Sequence, residues 1–185
     1  GKKMQLDLVK FLGNLPDARR RQGIRYPQDL VILMILMAIL SQHTGFRGYA
    51  RFMKANEKEL VELFDLKHGV PSHVTIRSIV ENISIQALTK QFIAWMSEHV
   101  DITDDEFVSS DGKVLRSTVS HPNDSMQSFV SVVSLFGQKT GLSYGMIAFD
   151  NGKSFEGKKK KKLIELFQSK GVIIDLDALH CKKNS

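Results

Sequence analysis

The sequence predicts an α+β chain. An all-helical N-terminal bundle covers residues 1–100, and a partial mixed sheet of order β-β-β-α-β covers residues 101–185. Two observations carry this. Up to His99, apolar residues recur at helical spacing and no run alternates like a strand. Beyond about Glu106, runs rich in Val, Ile and Phe alternate with turn residues, which is a strand-like pattern.

The elements follow in order. Residues 4–13 predict a short helix, with Leu6 and Val9 at helical spacing. A basic connector, residues 16–25, leads to Pro27, which suits the first turn of a helix, with Asp29 placed favourably near its positive end. That helix runs to about Ser41 and is apolar nearly all round, so it belongs in the centre of the core. Phe46–Met53 and Glu57–Phe64 predict two more helices, with Phe46, Tyr49, Phe52 and Met53, then Leu60, Val61 and Phe64, on their apolar sides. Residues 67–71 read as a turn. Ser72 suits the N-cap of a helix through about Glu81, and Ser84 that of the next, with Ala87, Leu88, Gln91, Phe92 and Trp95 on one side.

Three strands are then expected at 107–111, 128–135 and 142–149, the last two forming a hairpin about Gly137–Gly141. A helix at 156–169 and a buried strand at 172–176 complete the unit. The only low-complexity segment is the lysine run at 158–162.

Composition sets bounds. Apolar residues make up 42% of the chain and charged residues 25%, ordinary values for a globular protein. The single cysteine, Cys181, excludes an intramolecular disulfide and suits a reducing, cytoplasmic setting. The first residues lack an apolar core of the kind a signal peptide needs. The longest apolar run, Leu30–Leu40, is far short of the ~20 residues that span a bilayer, so no membrane is expected. The net charge of +6 is uneven: residues 1–100 hold 14 Lys and Arg against 9 Asp and Glu, and the remainder 12 against 11. A basic N-terminal half is compatible with an anionic partner such as DNA, and equally with a merely soluble basic protein.

The residues with chemical promise are Asp111, in Asp111-Gly112-Lys113, and Asp177, in Asp177-Ala178-Leu179-His180-Cys181. Phosphoryl transfer on a nucleic acid needs carboxylates that converge on divalent ions from separate elements. In a β-β-β-α-β unit the first and fourth strands can lie side by side, which would bring the two acids together. An Asp before a Gly is also an ordinary turn, so spacing alone leaves both readings open.

Three segments taken together are more specific: residues 69–75 (Gly-Val-Pro-Ser-His-Val-Thr), residues 110–116 (Ser-Asp-Gly-Lys-Val-Leu-Arg) and residues 177–181. In order and spacing they resemble the bacterial insertion-sequence DDE transposases that include the H-repeat-associated proteins. Residues 19–27 also resemble the helical domain that precedes the catalytic domain in that family. The resemblance implies an RNase H-like catalytic domain that uses Mg²⁺ or Mn²⁺ to cut and join double-stranded DNA at transposon ends. It assigns Asp111 and Asp177 as the first two catalytic acids and metal ligands. The family's third acid lies on a helix further along than Ser185, so the expectation is a truncated transposase, inactive alone. The alternative is a noncatalytic DNA-binding or interaction remnant. A homo-oligomer is compatible with either.

Arg19, Arg20, Arg21 and Arg25 are the candidate contacts to the DNA backbone, because the forked guanidinium matches phosphate; such clusters also occur on solvated linkers. Lys113 suits either a phosphate or water. Asp175 shares a strand face with Asp177 and is a weaker candidate acid. Asp150 reads as a turn residue without a catalytic role. His180 and Cys181 lack the further ligands that a zinc site needs.

Overall fold

The computed structural model describes residues 3–4, 25–98, 122–151 and 174–175. In chain order these form β1 (Lys3–Met4), α1 (Gln28–Leu40), α2 (Gly45–Ala55), α3 (Glu57–Phe64), α4 (His73–Glu81), α5 (Ile85–Ser97), α6 (Pro122–Thr140), α7 (Leu142–Asn151) and β2 (Ile174–Asp175).

Helix α1 is the centre. Every residue from Val31 to Leu40 is at most 3% exposed, so all sides of the helix are covered. Burying each large aliphatic side chain contributes about 1.5–3 kcal/mol relative to leaving it in water. Helices α2, α6 and α7 pack on α1. Together they account for its uniform apolarity.

Helix α2 turns one face inward through Gly48, Tyr49, Phe52 and Met53. Helices α4 and α5 begin at the expected caps. The Ser72 hydroxyl accepts from the Thr75 N–H at 3.4 Å, and the Ser84 hydroxyl accepts from the Ala87 N–H at 3.3 Å. These bonds satisfy amides that a helix start leaves without an internal partner.

The second half of the described chain corrects the expected fold class. Residues 128–135 and 142–149 are not a hairpin; they lie within the helices α6 and α7. The only strands among the described residues are the two-residue segments β1 and β2, paired antiparallel with Lys3 opposite Asp175 and Met4 opposite Ile174. A β-β-β-α-β sheet is therefore absent from the described residues, and the described fold is helical, not an α+β arrangement with an RNase H-like sheet.

The physical reason lies in the spacing of the buried residues. Phe129, Val132, Val133 and Phe136 are at most 2% exposed, while Ser131 is exposed. Leu142, Gly145, Met146 and Phe149 are buried at the same i, i+3, i+4, i+7 spacing. Short apolar runs satisfy both periods, and here packing against α1 and α5 prevails over the β preference of Val and Phe.

An aromatic cluster joins α5 to α6. The Phe92 ring meets Phe129 and Phe136 edge-on at 6.1 and 5.6 Å, and Trp95 lies 5.5 Å from Phe136. Gly137, expected in a turn, sits inside α6 where α1 and α7 crowd it. A Cβ there would fall on the Ser143 hydroxyl and 2.5 Å from Leu40 Cδ2. The chain reverses instead at Gly141, whose φ of +80° favours glycine. The Thr140 hydroxyl bonds the Phe136 carbonyl at 2.7 Å and accepts from the Leu142 N–H at 3.3 Å, securing the corner. The residues expected to form the helix at 156–169 and the strand at 107–111 lie outside the described residues, as do residues 5–13 of the first expected helix. Met4, where that helix was expected to start, is in β1.

Candidate nucleic-acid interface

Of the residues expected from sequence to hold metal or DNA, Arg25 is the one whose side chain is described. Asp111, Asp177, Arg19, Arg20, Arg21 and Lys113 lie outside the described residues. Arg25 is exposed and stands on the rim of an open groove of about 280 Å³. The other walls are Tyr26 and Pro27, just before α1, and Asp65 to Gly69, which follow α3. Lys67 and His68 are exposed there as well. The Tyr26 hydroxyl reaches the His68 carbonyl at 3.5 Å, tying the two walls together.

Two turn conformations and a carboxylate shape this groove. Asp65 adopts the left-handed conformation (φ +52°) that ends α3, and Gly69 has φ +72°. From the first turn of α3, Glu57 accepts the Val70 N–H at 3.3 Å and the Lys54 ammonium at 3.1 Å. The Lys54 hydrogen bond, then the Val70 N–H, holds the Glu57 carboxyl below its ordinary range. The groove wall is thereby fastened to the C-terminal end of α2.

The outer face of α2 is cationic. Its exposed positions are Gly45, Arg47, Arg51, Lys54 and Ala55, and the helix contains no acidic residue. Arg47, Arg51 and Lys54 follow one another at i, i+4 and i+7, so they form a single stripe. Beside it, Arg77 of α4 places its guanidinium 5.5 Å from the centre of the Phe46 ring. Beneath the stripe, burial pushes the Tyr49 hydroxyl above its ordinary pKa, against the effect of a hydrogen bond with the Gly45 backbone. Tyr49 thus adds no negative charge below the arginines. The apolar face of this helix is the one its sequence predicts; the spacing 47, 51, 54 carries the signal of the opposite, cationic face.

A second polar cluster was not foreseen. Asp150, in the last turn of α7, lies 2.7 Å from His43 Nε2 and accepts from Asn56 Nδ2 at 2.9 Å. A carboxylate only accepts, so the ring supplies the proton of that bond. Asn56 also donates to the Phe52 carbonyl at 2.9 Å. The His43 ring stands edge-on to Phe52 at 5.5 Å. This cluster joins three elements. Among the described residues no group of three or more His, Cys, Asp or Glu side chains is arranged to hold a metal ion, and no single helix is long and apolar enough to cross a membrane.

Residues 9–96 match the family described as DDE_Tnp_1-associated. Over 177 residues, 96% of this chain, the sequence is 27% identical to "Putative transposase YncI" of Escherichia coli K12, spanning 70% of that protein. It is 27% identical over the same share of the chain to "H repeat-associated putative transposase YbfD" of that strain, spanning 69% of it. The corresponding figures for "H repeat-associated putative transposase YhhI" are 28% identity and 46% of its length. No solved structure matches the chain. The helical region thus resembles the DDE_Tnp_1-associated family over residues 9–96, and nearly the whole sequence is similar to proteins named as putative transposases, two of them H repeat-associated.

Proposed function

We propose that this chain handles DNA in transposition, holding the duplex by its phosphates and presenting Asp111 and Asp177 as ligands for Mg²⁺ or Mn²⁺ in strand cleavage and transfer. The observation that carries the reading is the similarity to proteins named as transposases over 96% of the chain, a stretch that includes both acids. Carboxylate oxygens suit a small, hard cation, which keeps water in its remaining positions. When bound, such an ion polarises a phosphodiester and stabilises the charge that develops on its oxygens.

The chain's own residues have simpler parts. Arg19, Arg20, Arg21, Arg25 and Lys113 contact the sugar–phosphate backbone without reading sequence. Asp111 and Asp177 repel one another until a cation lies between them, so metal and DNA should favour each other's binding.

The test is duplex binding with and without Mn²⁺. The intact chain should bind DNA more tightly when the ion is present, and Asp111→Ala and Asp177→Ala should each lose that gain while retaining metal-free binding. A gain of the same size in both variants would remove the metal role of these acids.

A further inference from the structure

We infer that the outer face of α2, with Arg77 of α4 beside it, is a docking surface for the phosphate backbone of double-stranded DNA, built from residues other than the arginines at 19–25. The inference rests on the DNA-handling function proposed above and adds to it a place on the fold.

Four observations support it. Each exposed position of α2 is either cationic or small: Arg47, Arg51 and Lys54 stand among Gly45 and Ala55. Among the described residues, no bulky side chain on that face keeps a rod-like polyanion at a distance, and nothing lies within 4 Å of the Cβ position of Gly45. The stripe follows one side of the helix, and at ~1.5 Å per residue its three cations are spread over about 10 Å of axis. That length spans several phosphates of a duplex, which carries one charge per ~1.7 Å of axis.

The two arginines of α2 also lack competing carboxylates among the described residues. Among the described residues, Arg47 and Arg51 have no ion-pair partner, whereas Lys54 is engaged by Glu57. Finally, the stripe is held on a rigid support. Helix α2 is fixed from below by Tyr49, Phe52 and Met53, all at most 3% exposed. The Arg77 guanidinium lies 5.5 Å from the centre of the Phe46 ring, within cation–π reach, which holds it beside α2. An acidic protein partner would need an apolar centre to bind stably; the exposed positions of α2 include no large apolar residue, and beside Arg77 on α4 there is only Val74. The charge pattern fits a nucleic-acid backbone better.

The experiment measures binding of a fluorescent duplex of mixed sequence by the full chain across a salt series. The probes are the wild type, Arg47→Ala/Arg51→Ala, Arg47→Lys/Arg51→Lys, and Lys58→Ala/Lys90→Ala. The last pair removes two exposed charges of the same sign from α3 and α5. Circular dichroism establishes that each variant retains its helix content.

If each arginine neutralises one phosphate, the alanine pair lowers the slope of log K against log salt by about 1.8. The lysine pair, which keeps the charge, restores most of the slope, and the α3/α5 pair leaves it near wild type. A salt-dependent wild type whose slope is unchanged in the alanine pair, or reduced equally by the α3/α5 pair, overturns this surface and leaves the proposed function standing. A wild type that does not bind duplex at low salt overturns both.

Discussion

Asp150 accepts a hydrogen bond from the His43 ring at 2.7 Å, across 107 positions of sequence. His43 follows the C-terminus of α1, and Asp150 lies in the last turn of α7. Asn56, which bonds the other carboxylate oxygen at 2.9 Å, follows α2. One acid thus secures the junction of three helices. Replacing Asp150 with Ala leaves two partly buried donors without their acceptor and should lower stability by about 1–3 kcal/mol. In a double-mutant cycle, Asp150→Ala and His43→Ala should couple by about 0.5 kcal/mol or more. Urea unfolding measures both, and strict additivity would show that the bond contributes nothing.

Gly137→Ala distinguishes packing from helix propensity. Alanine is the better helix former by about 1 kcal/mol, so in an open helix the change would stabilise. In α6 the new methyl group meets Ser143 and Leu40. Overpacking of this kind costs about 1–3 kcal/mol, so a net loss is expected. A gain in thermal stability would contradict the close approach of α6 to α1 and α7.

The two serine caps give a smaller, local effect. Ser72→Ala and Ser84→Ala should each destabilise by about 1 kcal/mol. Both were predictable from sequence, because a capping residue lies within one residue of the helix it starts. The limits of α3 and the central place of α1 were legible for a similar reason: their patterns fit only one period. The segments that became α6 and α7 were not. Val130, Val132 and Val133 favour strands in isolation, and Phe129, Ser131, Val133 and Leu135 alternate. The i, i+3, i+4 spacing of Phe129, Val132 and Val133 acquires its meaning only once α5 presents Phe92 and Trp95 to it. The His43–Asp150 bond had no local signal at all, since neither residue lies in a recognisable motif. Asp111 and Asp177 rest on motif resemblance, and the described residues do not place them.

Glu57 should give a pH-dependent contribution. Lys54 and the Val70 N–H lower its pKa in the folded protein from the ordinary value of 4.5. The stabilisation is therefore complete above pH 4.5 and is lost as the pH falls through the lower, folded-state value. Glu57→Gln should remove this part of the acid dependence while changing the neutral-pH midpoint only slightly, because the group is partly exposed and screened by solvent. Urea midpoints recorded from neutral to acid pH provide the measurement. A variant that follows the wild-type acid profile throughout would refute the assignment.

The central functional claim is that Asp111 and Asp177 share a divalent ion. Mn²⁺ titration followed by electron paramagnetic resonance reads that relationship without depending on catalysis. A saturable site of weak affinity is expected in the intact chain, as two carboxylates with water completing the shell would give. Asp111→Ala and Asp177→Ala should each abolish it, and the double variant should lose nothing more. Retention of the same site in either single variant would contradict the claim.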